Sequence, residues 1–186
     1  GPNIKSIYET DITKRFLQER TNVKIVLNGE DLEFKFKNSD NGIQKFNFSE
    51  ESGHLVAIMG GSGTGKSTLL NLLNGNLEPS KGRVHINGYT ITRASREGVI
   101  GYVPQDDLLF EELSVYENLY YNAKICFSDF SKLQIKETVD RVLNDLDLIE
   151  IKDLRVGDPL NKTISGGQRK RLNIALELMR EPSVLF

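Results

Sequence analysis

The chain has 186 residues, 38% of them apolar and 27% charged, and a net charge of −2. That describes one globular domain with a sizeable core, and Lys and Arg spread along the chain leave no electrostatic footprint for nucleic acid. A single cysteine, Cys126, excludes an internal disulfide; His54 and His85 match no metal spacing, and no run is apolar enough for a membrane span or signal peptide. The chain itself therefore reads as soluble and cytoplasmic in character.

Gly1-Pro2 reads as the remnant of a cleaved purification tag. Ile12, Phe16 and Leu17 suggest a short helix in the polar opening segment. Residues 23–27, 32–37 and 44–49 alternate or cluster apolar side chains as strands do, with hairpin and turn signals at Asn28-Gly29 and Asn41-Gly42. A small antiparallel sheet is expected here. Leu55-Val56-Ala57-Ile58-Met59 then predicts a short buried strand.

The next residues are the most informative. Gly60, Gly61, Ser62, Gly63, Thr64, Gly65, Lys66, Ser67 and Thr68 fit the phosphate-binding loop G-x-x-x-x-G-K-[ST]. Glycines let the backbone bring its N–H groups close to an anion, and a helix starting at Gly65 adds its positive end. Lys66 would reach the β- and γ-phosphates, and the Ser67 hydroxyl would hold Mg²⁺. The bland alternative is a flexible Gly/Ser turn before a lysine; the apolar run before it and the helical spacing after it argue against that. It is not the dinucleotide fingerprint, because Lys66 stands where that pattern has its third glycine.

Leu69 to Leu73 are apolar at helical spacing and stop at Asn74-Gly75. Residues 78–82 form a turn, 83–86 a strand, Asn87-Gly88 a turn and 99–103 another strand ended by Pro104. Ser114-x-x-Glu117 and Ser131-x-x-Gln134 are capping boxes, opening one helix to about Cys126 and another with Ile135, Val139, Val142, Leu143 and Leu146 on one face. After a polar stretch, Ser165 caps a helix to about Arg180, stopped at Glu181-Pro182. Val184-Leu185-Phe186 begins an apolar strand.

Two further segments narrow the family. Val103-Pro104-Gln105-Asp106-Asp107 follows the phosphate loop, and Ile164-Ser165-Gly166-Gly167-Gln168-Arg169-Lys170-Arg171 comes later. With the phosphate loop, these resemble the Walker A motif, Q-loop and signature motif of the ATP-binding cassette (ABC) family, in family order, over residues 32–186. Residues 100–109, Val156-Gly157-Asp158 and 164–178 are similar to the G subfamily, which includes eye-pigment and sterol half-transporters.

The resemblance implies an α/β P-loop NTPase with a central, mostly parallel sheet, an N-terminal antiparallel β subdomain and a helical subdomain. It divides the chain into an extension (1–31), a nucleotide-binding core (32–104), the Q-loop with the helical subdomain (105–164), and the signature helix with the start of the next strand (165–186). ATP and Mg²⁺ are the implied cofactors. Lys66 and Gln105 are the implied catalytic residues, and Ser67 and Gln105 the metal ligands. Phe36 would stack on adenine, with Phe34 as competitor and a plain core role open to both. Ser165, Gly166, Gly167 and Gln168 of a second cassette would close over the ATP in a head-to-tail dimer. The implied partner is a transmembrane permease, placing the domain at the cytoplasmic face of the membrane as a peripheral subunit.

In the family the strand begun at Val184 ends in a metal-holding Asp followed by a water-polarising Glu, and this chain stops before both. A truncated cassette that binds nucleotide with near-background hydrolysis is therefore expected. An exposed sheet edge would bring marginal stability or self-association. The alternatives are a non-transport ABC ATPase and a nucleotide-gated regulatory module. A repair-type cassette is disfavoured, because ordinary helices, not a long coiled coil, lie between Gln105 and Ser165.

Overall fold

Val26–Lys35 (β1) forms the centre of an antiparallel sheet in a computed structural model that describes residues 24–39, 41–106, 108–158 and 163–186. The helix suggested around residues 12–17 lies outside them. The chain resolves into two units, one of residues up to 100 with Phe186 and one of residues 101–185.

In the first unit β1 pairs on one side with Gly42–Glu51 (β2) and on the other with Lys81–Ile86 (β3), which pairs with Tyr89–Thr90 (β4). Asn28-Gly29 is not the expected hairpin. It runs straight through β1, facing Ser49 and Phe48 on β2 and His85 and Val84 on β3. A side chain at position 29 would collide with Leu32, which is fully buried, so the glycine makes room for a core residue. The backbone irregularity comes two residues later, at Asp31 with φ 50°, where the ladder shifts register. The turn at Asn87-Gly88 is present, with both residues at positive φ (46° and 86°) as a tight primed hairpin requires.

Lys66–Leu73 (α1) buries Leu72 and Leu73 in the first unit, whose core also holds Leu27, Leu32, Val84, Ile86, Ile91 and Val99. The expected strand at residues 55–59 does not form. The segment belongs to no ladder, Leu55 is wholly exposed and Met59 is 89% exposed. An apolar run of that kind needs ladder partners on its edges and cover on both faces. The described residues of this unit place their ladders elsewhere, around β1.

The second unit is helical: Val115–Cys126 (α2), Lys132–Asp145 (α3), a 3₁₀ turn at Ile149–Ile151, and Gly166–Leu178 (α4). Each of the three helices starts in a complete capping box, in which the serine hydroxyl accepts from the N3 backbone and the N3 Glu or Gln side chain accepts from the serine N–H. The helices share one core, with Leu119 and Ala123 of α2, Val139 and Leu143 of α3, and Leu172 and Ala175 of α4 all fully buried.

A strap before α2 is laid along the chain before α4. Val115 and Tyr116 N–H donate to the carbonyls of Leu154 and Lys152, while Val156 and Gly157 N–H donate to those of Leu113 and Glu111. Buried Asn118 pins the strap, accepting from Phe110 N–H at 2.9 Å and donating to the Phe110 and Ser114 carbonyls at 3.0 Å.

The strand expected at residues 99–103 shrinks to Ile100–Gly101 (β5), whose Gly101 lies against Pro182 and against Leu185 of Val184–Leu185 (β6). Tyr102 N–H turns to the Glu177 carboxylate at 3.3 Å, and Pro104 has no N–H to offer a ladder.

Candidate functional site

The phosphate loop is built from backbone conformations that only glycine adopts cheaply. Gly63 and Gly65 have φ 78° and 88°. Gly65 is crowded as well, since a Cβ there would stand 3.1 Å from Ile43 Cδ1 of β2. Thr64 Oγ1 donates to the Gly61 carbonyl at 2.9 Å, folding the loop on itself. Lys66 Nζ donates to the Gly60 carbonyl at 2.9 Å and to that of Gly61 at 2.5 Å, so the ammonium is held over the loop mouth by two neutral acceptors.

Gly65 N-caps α1 with no side-chain hydrogen bond, and the first turn of α1 carries no acidic residue. Its leading N–H groups thus have no side-chain acceptor, and the helix dipole adds positive potential there. Ser67 in that turn is exposed. Oriented amides, an ammonium and a hydroxyl form a set of groups that fits a polyphosphate carrying a hard cation. When bound, such a cation would supply charge neutralisation at the phosphate oxygens.

The aromatic pair lies on the β1 side of the same unit. Phe34 faces Ile43 across the β1–β2 ladder, and Ile43 is the residue that a Cβ at position 65 would meet. Phe36 sits just past β1, edge-on to Phe34 with ring centroids 4.9 Å apart. It is 46% exposed, whereas Phe34 is half-buried, so Phe36 has the freer ring.

Gln105 and the signature residues are both in the second unit. Gln105 is exposed at a bend after Pro104. Ser165 Oγ accepts from Gln168 N–H at 3.2 Å, and Gln168 Oε1 accepts from Ser165 N–H at 2.7 Å. Ser165, Gly166 and Gly167 are exposed, and the space beside Gly166 is open. Because Ser165 Oγ accepts in its cap, its hydroxyl hydrogen is left to donate outward.

Motif reading missed Arg169. It is 6% exposed, and Nη1 donates to the carbonyls of Val156 at 3.3 Å and Gly157 at 2.5 Å. A buried guanidinium is tolerated only when its donors are used, and here they tie the signature turn to the strap. The available signal was positional: Arg169 is three residues before Leu172, on the face of α4 that enters the core. Among the described residues no cluster of His, Cys, Asp or Glu could hold a metal, and no helix is long and apolar enough to cross a membrane.

The ABC transporter family model matches residues 43–186. The chain is 38% identical to the ABC-type transporter claG of Penicillium crustosum, over 72% of this chain and 18% of that protein. It is 43% identical to ABC transporter G family member 25 of rice, Oryza sativa subsp. japonica, over 72% of this chain and 14% of that protein. A probable ATP-dependent permease of Saccharomyces cerevisiae is 35% identical over 96% of this chain and 18% of its own length. The chain thus spans less than a fifth of these three relatives. The solved structure of cbiO1 from Clostridium perfringens, part of the ABC transporter complex cbiONQ, superposes with a TM-score of 0.75 at 31% identity, covering 86% of this chain and 63% of that one. A P-loop NTPase fold with an antiparallel β subdomain and a helical subdomain, together with these matches, places the chain in the ABC transporter family as an ATP-binding domain of the G type.

Proposed function

We propose that this domain binds Mg-ATP and, within a complete transporter, couples its hydrolysis to movement of a substrate across a membrane. The observation that carries the reading is the start of α1: an uncapped helix end behind two left-handed glycines, with Lys66 poised over it. In this reading the amides of Gly61, Ser62, Gly63, Thr64, Gly65, Ser67 and Thr68 enclose the phosphates, and Lys66 neutralises the β- and γ-oxygens. Ser67 and Gln105 hold Mg²⁺, and Phe36 stacks on adenine. Ser165, Gly166, Gly167 and Gln168 of a second cassette meet the γ-phosphate from the far side, with the Ser165 hydroxyl and the first amides of α4 as donors.

Such an assembly needs a head-to-tail pair of cassettes and a transmembrane permease, which would place the domain peripherally on the cytoplasmic face. That similar proteins are transporters and a probable permease supports the transport reading over a non-transport cassette. Titration calorimetry with Mg-ATP tests its basis. Saturable binding by the wild-type chain and its loss in Lys66→Ala are expected. Equal affinity in the two proteins would refute the site.

A further inference from the structure

Two side chains of α4 reach the segment that carries Gln105. Lys170 Nζ donates to the Pro104 carbonyl at 2.9 Å, and the Glu177 carboxylate accepts from Tyr102 N–H at 3.3 Å. Lys170 and Glu177 are seven residues apart, two helical turns, so they stand on one face of α4 and grip the Q-loop strand at two points. The Pro104 carbonyl belongs to the same peptide plane as the Gln105 N–H. Proline fixes its own φ, which leaves ψ of Pro104 as the main freedom orienting that plane. A cation held on the Pro104 oxygen removes this freedom and sets the direction in which the chain enters Gln105. Lys170 follows the signature turn by two residues, so the same helix start that presents Ser165 and Gln168 also holds Gln105 in place.

We propose that Lys170 is a positioning residue for Gln105, clasping the Q-loop to the signature helix of the same chain with Glu177 as second anchor. The functional part rests on the reading of Gln105 as a Mg²⁺ ligand; the clasp itself does not. Lysine suits the task because it donates to a lone carbonyl without requiring an acidic partner, and arginine can replace it as donor.

Hydrogen exchange of the full chain tests the clasp without nucleotide. Lys170→Met should speed exchange in the 102–106 segment by about three- to tenfold, as for loss of one ordering hydrogen bond, with α2 and α3 unchanged. Lys170→Arg should restore the wild-type rate, and Glu177→Gln should give a smaller increase in the same segment. Unchanged exchange in Lys170→Met, or no rescue by arginine, overturns the proposal.

A second arm reads ATP affinity with and without Mg²⁺. Lys170→Met should leave metal-free affinity unchanged and cut the gain from Mg²⁺ by about three- to tenfold, as Gln105→Ala should in full. If Gln105→Ala leaves that gain intact, the Gln105 role fails while the exchange result still decides the clasp.

Discussion

The starts of α1 and α4 use nearly the same residue types, glycines beside serine with a basic residue close behind, yet they end in opposite states. At α4 the chain satisfies itself: Ser165 and Gln168 exchange two hydrogen bonds in a capping box, and buried Arg169 anchors the turn on the Val156 and Gly157 carbonyls. At α1 no side chain caps the helix, the N-cap is a left-handed glycine, and the nearest cation is turned back on the loop carbonyls. A helix end left without its own cap is less stable alone and better prepared for an anion. The difference separates a helix start whose donors the chain itself satisfies from one whose donors it leaves open.

The largest expected effect breaks the α1 side. Lys66→Ala should weaken Mg-ATP binding about 100-fold in calorimetry, since it removes charge-assisted contacts to phosphate, while the melting temperature without nucleotide changes little. Gly65→Ala should follow, with binding about tenfold weaker and a lower melting temperature. It forces an L-residue into the left-handed region at a cost of about 1–2 kcal/mol and presses Ile43.

Ser165→Ala tests the other side. Losing the cap should cost about 1 kcal/mol and lower the melting temperature by about 2–4 °C, without altering nucleotide affinity in the isolated chain. A large loss of affinity would mean that the two helix starts are not separate devices.

The smallest effect is a pH dependence confined to the sheet that carries Ile43. Glu33 lies below its ordinary value of 4.5, chiefly through the hydrogen bond from Lys81, and Glu30 likewise through those from Arg83 and His85. A carboxyl depressed on folding stabilises above its unfolded value, and that contribution fades as pH falls through the lowered folded value. Glu30 is exposed and Glu33 half-buried, and their partners Lys81 and Arg83 are exposed, so the effect is small and screened by salt. As pH falls below 4.5, protection against exchange in β1 and β3, corrected for the intrinsic pH dependence of exchange, should fall modestly, and less so in Glu33→Gln. The Ser165–Gln168 cap, which has no titrating partner, should not respond.

The three boxed helices were legible because a capping box is local: four residues carry both the signal and the bonds, and Ser114, Ser131 and Ser165 each open a helix where the pattern places it. The phosphate loop was legible for the same reason, as glycine spacing and Lys66 sit in one short window. Asn28-Gly29 and Leu55–Met59 misled because strands are decided by remote neighbours. Gly29 serves Leu32 and Phe48 rather than a turn, and the apolar run at 55–59 is no strand without ladder partners.

By itself the sequence determined the glycine loop ahead of α1, the family and the start of every boxed helix, because those depend on residues adjacent in the chain. Only the tertiary structure decided that β1 runs unbroken, that Arg169 is spent inside the fold and that Lys170 reaches the Pro104 carbonyl. Each of those contacts joins segments distant in sequence, and their energies depend on which backbone groups packing brings within hydrogen-bond reach.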